Sequence, residues 1–203
     1  MQYDAHARLS RVAVIGLLFL APRIYAADQK VNYVVPEPTF VIQQPKPNGC
    51  WATVAAMMLS WKNRRAMTIE AVVQSAGAVY QALYKSDVGL SAAEKPSFLD
   101  SLHFKNEAPA TYTAQALESK LKLWGPLWVT TAEPTGKKFS IHARVLLGIM
   151  GDGSGTGTTL LIADPADGTK HFENLDTFTQ KLDKVAKSDY GAGADVRPLI
   201  VHF

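Results

Sequence analysis

Cysteine is almost absent from this chain: its 203 residues contain one, Cys50. No intrachain disulfide can form, so the fold must rest on its hydrophobic core. A thiolate cluster for a metal is excluded as well, and no His-Glu-x-x-His pair offers zinc another site. The glycines of 151–157 are not followed by Gly-Lys-Ser/Thr, so they form no phosphate loop, and their spacing does not fit a dinucleotide fingerprint. No Gly-x-Ser-x-Gly elbow presents a nucleophilic serine. Neither metal nor cofactor is therefore expected. A surplus of one charge is missing too. The formal net charge is +3, and the first 26 residues hold Arg8, Arg11 and Arg23 against Asp4, which leaves +1 for the rest. That balance offers no basic patch for nucleic acid or anionic lipid.

Long hydrophobic runs are also missing. The most apolar stretch, Val12 to Ala21, is too short to cross a bilayer. Its setting is that of a secretory signal: Arg8 and Arg11 precede it, and Ile24-Tyr25-Ala26 offers a small residue for cleavage. The expected mature protein is 27–203, one domain by size, periplasmic or secreted, with no stable membrane insertion once residues 1–26 are removed.

Pro36, Pro38, Pro45 and Pro47 keep 27–49 extended, and Asn48-Gly49 marks a turn. From Cys50 to Lys62 the pattern is helical and apolar nearly all round, as in a helix buried in a core. Thr68 caps a second helix running through Ile69, Val72 and Val73, and 85–112 reads as loops and short turns. A third helix begins near Thr113 and stops at Gly125-Pro126. Strand patterns follow at Leu127–Thr131, Ser140–Met150, Thr158–Ala163 and 169–173, then a short helix near 175–185 and a last strand at Leu199–Phe203. Helices first and antiparallel strands second make an α+β domain, with the nucleophile helix packed on a C-terminal sheet.

The lone cysteine opens the first helix. Helix N–H groups and the helix dipole favour a thiolate there. A free thiol is a liability outside the cytoplasm unless it is buried or used. Covalent acyl transfer also needs a base and an orienting group. Pairing the strand that ends at Met150 with the one that starts at Thr158 puts His142 near the same end as Asp164, within side-chain reach. His171 competes for the role of base; His103 lies among loops, and His202 in an apolar strand reads as structural. An oxyanion needs donors. The backbone N–H of Cys50 is one, and Gln44, six residues upstream, is the natural second, with Gln43 as the fallback.

The residues Gln44, Gly49-Cys50-Trp51-Ala52, Leu123-Trp124-Gly125-Pro126-Leu127-Trp128-Val129, His142 to Ile149, Gly151-Asp152-Gly153 and Asp164-Pro165 come in a telling order. In this order the chain resembles the papain-like cysteine peptidase superfamily over about 40–185. Within it the chain is most similar to the bacterial branch that includes the plant-pathogen effector proteases and, more remotely, the bacteriocin-leader-processing peptidases. The resemblance implies a papain-like fold, Cys50 as nucleophile, His142 as base and acid, Asp164 as orienter, Gln44 in the oxyanion hole, and a protein or peptide substrate. Papain itself has Asn where Asp164 stands. Two other readings share the fold: an amidase or acyltransferase acting on a non-protein amide such as a peptidoglycan stem peptide, and a non-catalytic binding module. No residue pattern specifies an inhibitor or immunity partner.

Overall fold

A computed structural model describes residues 29–108, 110–135, 138–190 and 199–203. The expected signal segment 1–26 lies outside the described residues. The elements run β1 (Val31–Val34), α1 (Cys50–Lys62), α2 (Ile69–Ala76), α3 (Ala78–Lys85), α4 (Lys95–Ser101), β2 (Lys105–Asn106) and α5 (Ala114–Trp124). They continue as β3 (Leu127–Thr135), β4 (Lys138–Gly151), β5 (Thr158–Asp164), β6 (Thr169–Asn174), α6 (Leu175–Tyr190) and β7 (Ile200–His202). The strands form one antiparallel sheet in the order β2-β7-β3-β4-β5-β6. β4 is long enough to take two partners on one side, pairing with β3 through Leu146 and with β1 from Gly148. The fold is α+β, the class that the order of helix and strand patterns predicts.

Helices cover both faces of the sheet. On one face α1, α2 and α4 bury Val54, Met58, Val72 and Phe98 against Trp128, Val145 and Ala163. On the other, α5, α6 and β1 bury Leu117, Leu121 and Phe178 against Val129, Leu146 and Ile162. The alternation of a strand divides its side chains between the two layers: Trp128 points into the first core, while Leu127 and Val129 point into the second. A bulge at Leu147 in β4 inserts one extra residue opposite β5 and reverses the alternation. Leu147 therefore packs toward α1, whereas Ile149, two residues on, packs into the opposite core.

Local signals set the helix boundaries. Thr68 and Thr113 each accept a hydrogen bond from the N–H three residues on, at 3.1 and 3.2 Å. Gly125 ends α5 with φ +79°, where a Cβ would stand 2.2 Å from the Trp61 ring. The stretch 85–112 departs from the expectation of loops, since α4 and β2 lie within it. α4 has only seven residues, too few for a periodic pattern, and Pro96 sits in its first turn, where proline is tolerated. Burial of Phe98 and Leu99 in the first core supplies what propensity does not. The strands Leu127–Thr135 and Lys138–Gly151 and the helix Leu175–Tyr190 each extend beyond their expected ends.

Candidate active site

Cys50 is the first residue of α1, and Gly49 before it contributes no side-chain cap. The first N–H groups of a helix have no acceptor within it, so they stay free to face the thiol or a ligand. The preceding turn is held from the side: Asn48 donates its backbone N–H to Asp87 Oδ1 at 2.9 Å and its side-chain amide to Asp87 O at 3.0 Å. Trp51 Nε1 donates to Val88 O at 3.3 Å. These bonds tie the start of α1 to the loop leading to α4.

His142 arrives on β4, opposite Thr131 of β3. Its Nε2 lies 2.7 Å from Asp164 Oδ1 at the end of β5. The register pairs Val145 with Ala163, so His142 and Asp164 are diagonal neighbours, not directly opposed. That spacing is within reach of an imidazole. Asp164 Oδ1 also accepts the N–H of Ala166 at 2.8 Å, which fixes the carboxylate. With Nε2 engaged, the nitrogen left for the thiol is Nδ1.

The electrostatics favour an ion pair. Burial opposes ionisation of Cys50 and is the largest influence on it. The hydrogen bond and charge of His142, with the N–H groups of Ala143 and Trp51, nevertheless bring the thiol below its ordinary value. Burial likewise disfavours a charged His142, but Asp164 and Cys50 together push its pKa up to about 9. Burial raises Asp164; the hydrogen bond from His142, the Ala166 N–H and the charges of His142 and Arg144 outweigh it and hold the carboxyl low. Arg144 is itself buried in a charged network, donating to Thr131 Oγ1 at 3.0 Å and to Glu173 Oε2 at 2.7 Å, and lying 3.1 Å from Glu133 Oε1. Lys181 bridges the same two carboxylates.

Cys50 and His142 open into a cleft of about 310 Å³. Asn48, Trp51 and the 89–92 loop line one part of it, and Lys95, Trp128, Thr130 and Ser140–Ala143 another. Among these, Lys95, Trp128 and Thr130 were not singled out as site residues from the sequence, although Trp128 lies in the Leu123–Val129 motif. Lysine at the start of a short helix ordinarily reads as solvated surface, and only packing reveals that this one is 5% exposed.

Gln44 is placed beside this machinery by its backbone, since its N–H donates to Pro165 O at 2.7 Å, next to Asp164. Its side-chain nitrogen donates to the carbonyls of Lys46 and Pro47 at 2.9 and 2.8 Å, and its Oε1 is buried with no partner among the described residues. Gln43 is exposed and packs on Gly168, whose φ of +70° and missing Cβ allow that approach. Among the described residues, the other histidines do not line the cleft. His171 pairs with Asp167 on the exposed β6. His202 is buried, stacked 3.6 Å from the Trp124 ring and 3.2 Å from Glu107 Oε1. His103 sits in the turn after α4 with φ +58°.

A thiol made acidic by an adjacent imidazolium, with a carboxylate orienting the ring, is equipped for nucleophilic attack on a carbonyl. The family model for papain-like cysteine protease AvrRpt2 matches residues 29–183. A search of curated proteins finds no match.

Proposed function

The chain belongs to the papain-like cysteine protease AvrRpt2 family, a family of hydrolases acting on protein substrates, and from that premise we propose that it is an exported protease working through Cys50, His142 and Asp164. One observation carries the assignment of roles. The His142 ring is bonded to Asp164 at 2.7 Å while its charge and hydrogen bond lower the pKa of a thiol at the uncapped start of α1, inside a cleft.

In this reading the Cys50 thiolate attacks the scissile carbonyl and His142, as imidazolium, gives its proton to the leaving amine. The resulting thioester is hydrolysed by water that passes a proton to the neutral ring. Asp164 keeps the ring aimed through both halves of the cycle. The oxyanion takes the helix-terminal N–H of Cys50 and the amide of Gln44. For the second bond Gln44 must exchange its carbonyl partners at Lys46 and Pro47 for the charged oxygen, and a charge-assisted bond is the stronger of the two. Export rests on the basic, apolar and small residues of 1–26, with the mature chain starting at Ala27.

The test is alkylation coupled to hydrolysis. Iodoacetamide at mildly acidic pH should abolish casein cleavage, with one adduct on Cys50. A Cys50→Ala variant that retains full hydrolysis overturns the assignment. Product analysis on casein beside purified peptidoglycan decides between protein and stem-peptide substrates.

A further inference from the structure

The turn that delivers the nucleophile is gripped by a residue that the catalytic scheme does not use. α3 ends at Lys85, and the chain leaves it through Asp87, whose φ of +54° is left-handed. Val88 N–H donates back to Leu83 O at 3.0 Å and Asp87 N–H to Tyr84 O at 3.1 Å, the paired bonds that close a helix end. The backbone alone would favour glycine at that position, because a left-handed conformation crowds a Cβ. What aspartate adds is a carboxylate, and its Oδ1 accepts the backbone N–H of Asn48 at 2.9 Å. The Asp87 carbonyl accepts the Asn48 side-chain amide at 3.0 Å.

Asn48 lies between the two donors assigned to the oxyanion, after Gln44 and before Cys50. Within this segment Lys46 O accepts both the Gly49 N–H at 3.1 Å and the Gln44 amide at 2.9 Å, so a shift of the turn moves both donors. Its start is tied to Pro165 O through the Gln44 N–H, and its end enters α1, where Gly49 O accepts the Thr53 N–H at 3.0 Å. Asn48 between these anchors is exposed and lines the cleft, whereas Asp87 does not line it.

We propose that Asp87 is a positioning residue of the oxyanion hole: through its two bonds to Asn48 it holds the 44–50 turn so that the Gln44 amide and the Cys50 N–H converge on one oxygen.

The proposal rests on the reading of the site as an acyl-transfer centre and names what keeps its donors in place. A hydrogen bond to an ionised acceptor is about twice as strong as a neutral one, so the carboxylate grips the turn more firmly than a carbonyl would. Donors of this kind stabilise the transition state only when they are aimed at the developing charge. The thiolate–imidazolium pair is fixed by other contacts, those of His142 with Asp164 and of Asp164 with Ala166. Loosening the turn should therefore spoil the hole and spare the nucleophile.

Asp87→Gly removes the carboxylate and suits the left-handed backbone, so the end of α3 keeps its form. Asp87→Asn keeps an Oδ1 acceptor and tolerates the same backbone. Hydrolysis is followed on casein, or on peptidoglycan where the wild type cuts that instead. Asp87→Gly should lower kcat per titrated site roughly 10- to 100-fold, the penalty for donors displaced by a fraction of an ångström to 1 Å. Its Tm should stay within about 4 °C of wild type. Iodoacetamide should alkylate its Cys50 at the wild-type rate, because that reaction displaces iodide at a saturated carbon, forms no oxyanion and reads the thiolate alone. Asp87→Asn should retain most of kcat. Wild-type kcat in Asp87→Gly overturns the proposal, and so does an Asp87→Asn enzyme as slow as Asp87→Gly. A kcat that falls together with alkylation or with Tm also overturns it, since Asp87 would then support the nucleophile or the fold and not the hole. A wild-type protein that hydrolyses neither substrate overturns the acyl-transfer reading itself, and the proposal falls with it.

Discussion

Replacing Asp164 by asparagine removes one negative charge and leaves a hydrogen-bond acceptor of nearly the same volume beside His142. In the folded protein the imidazole stands at about 9 against an ordinary 6.5. Burial lowers it, and the bond to Asp164 is the first of the effects that raise it, followed by Cys50. The carboxylate is thus responsible for part of that rise, and losing its charge should lower the pKa of the imidazole. The sign follows from the direction of the shift: a weaker hold on the proton means that imidazolium disappears at lower pH. The high-pH limb of kcat/KM, expected near pH 9 in the wild type, should therefore move to more acid values in Asp164→Asn. Asp164→Ala removes the acceptor as well and lets the ring turn away from the thiol. It should lower kcat roughly 10- to 100-fold, equivalent to about 1.4–2.7 kcal/mol. The assay is a pH–rate profile on enzyme titrated for active sites, with melting temperatures for both variants. If the limb stays near pH 9 and kcat per titrated site is unchanged while Tm falls, Asp164 serves only the Asp-Pro turn and the orienting role is refuted.

Gln44→Ala should lower kcat by about 10²-fold with little effect on Tm if the amide serves the oxyanion; a fall in Tm with kcat intact would assign it to the 46–47 turn that it now bonds. Gly125→Ala should destabilise the fold by about 2–5 kcal/mol in urea denaturation, because its φ is +79° and a Cβ would strike the Trp61 ring; a change below about 1 kcal/mol would show that Trp61 moves aside freely. The charged form of His142 stabilises the fold fully below its unfolded pKa, and that contribution is lost as pH rises through about 9, so His142→Ala should flatten stability between pH 7 and 10 in denaturant titrations. Intact mass of protein from the native host should show loss of residues 1–26, and a full-length chain in the cytosol would refute export.

Much of the placement of Cys50, His142 and Asp164 was legible in the sequence, because it is written in local patterns. A lone cysteine after Asn48-Gly49 and before an apolar run marks a thiol at a helix start. Thr68, Thr113 and Gly125-Pro126 mark helix ends through bonds that span three or four residues. His142 and Asp164 lie on strands joined by one tight turn, so counting along the hairpin brings them to the same end; the Leu147 bulge and the diagonal offset emerge only from the register. Tertiary structure alone decided what depends on partners distant in the chain. α4 is too short to show a period and forms because Phe98 and Leu99 have a core to enter. The bonds of the Gln44 amide depend on how the 44–47 turn folds back. Lys95 looks like any solvated lysine in the sequence, and it becomes part of the cleft only because β3, thirty-five residues away, brings Thr130 and Trp128 beneath it. Sequence determines the bonds that close within a few residues, whereas the environment of a buried charge is fixed only when the sheet and helices are packed together.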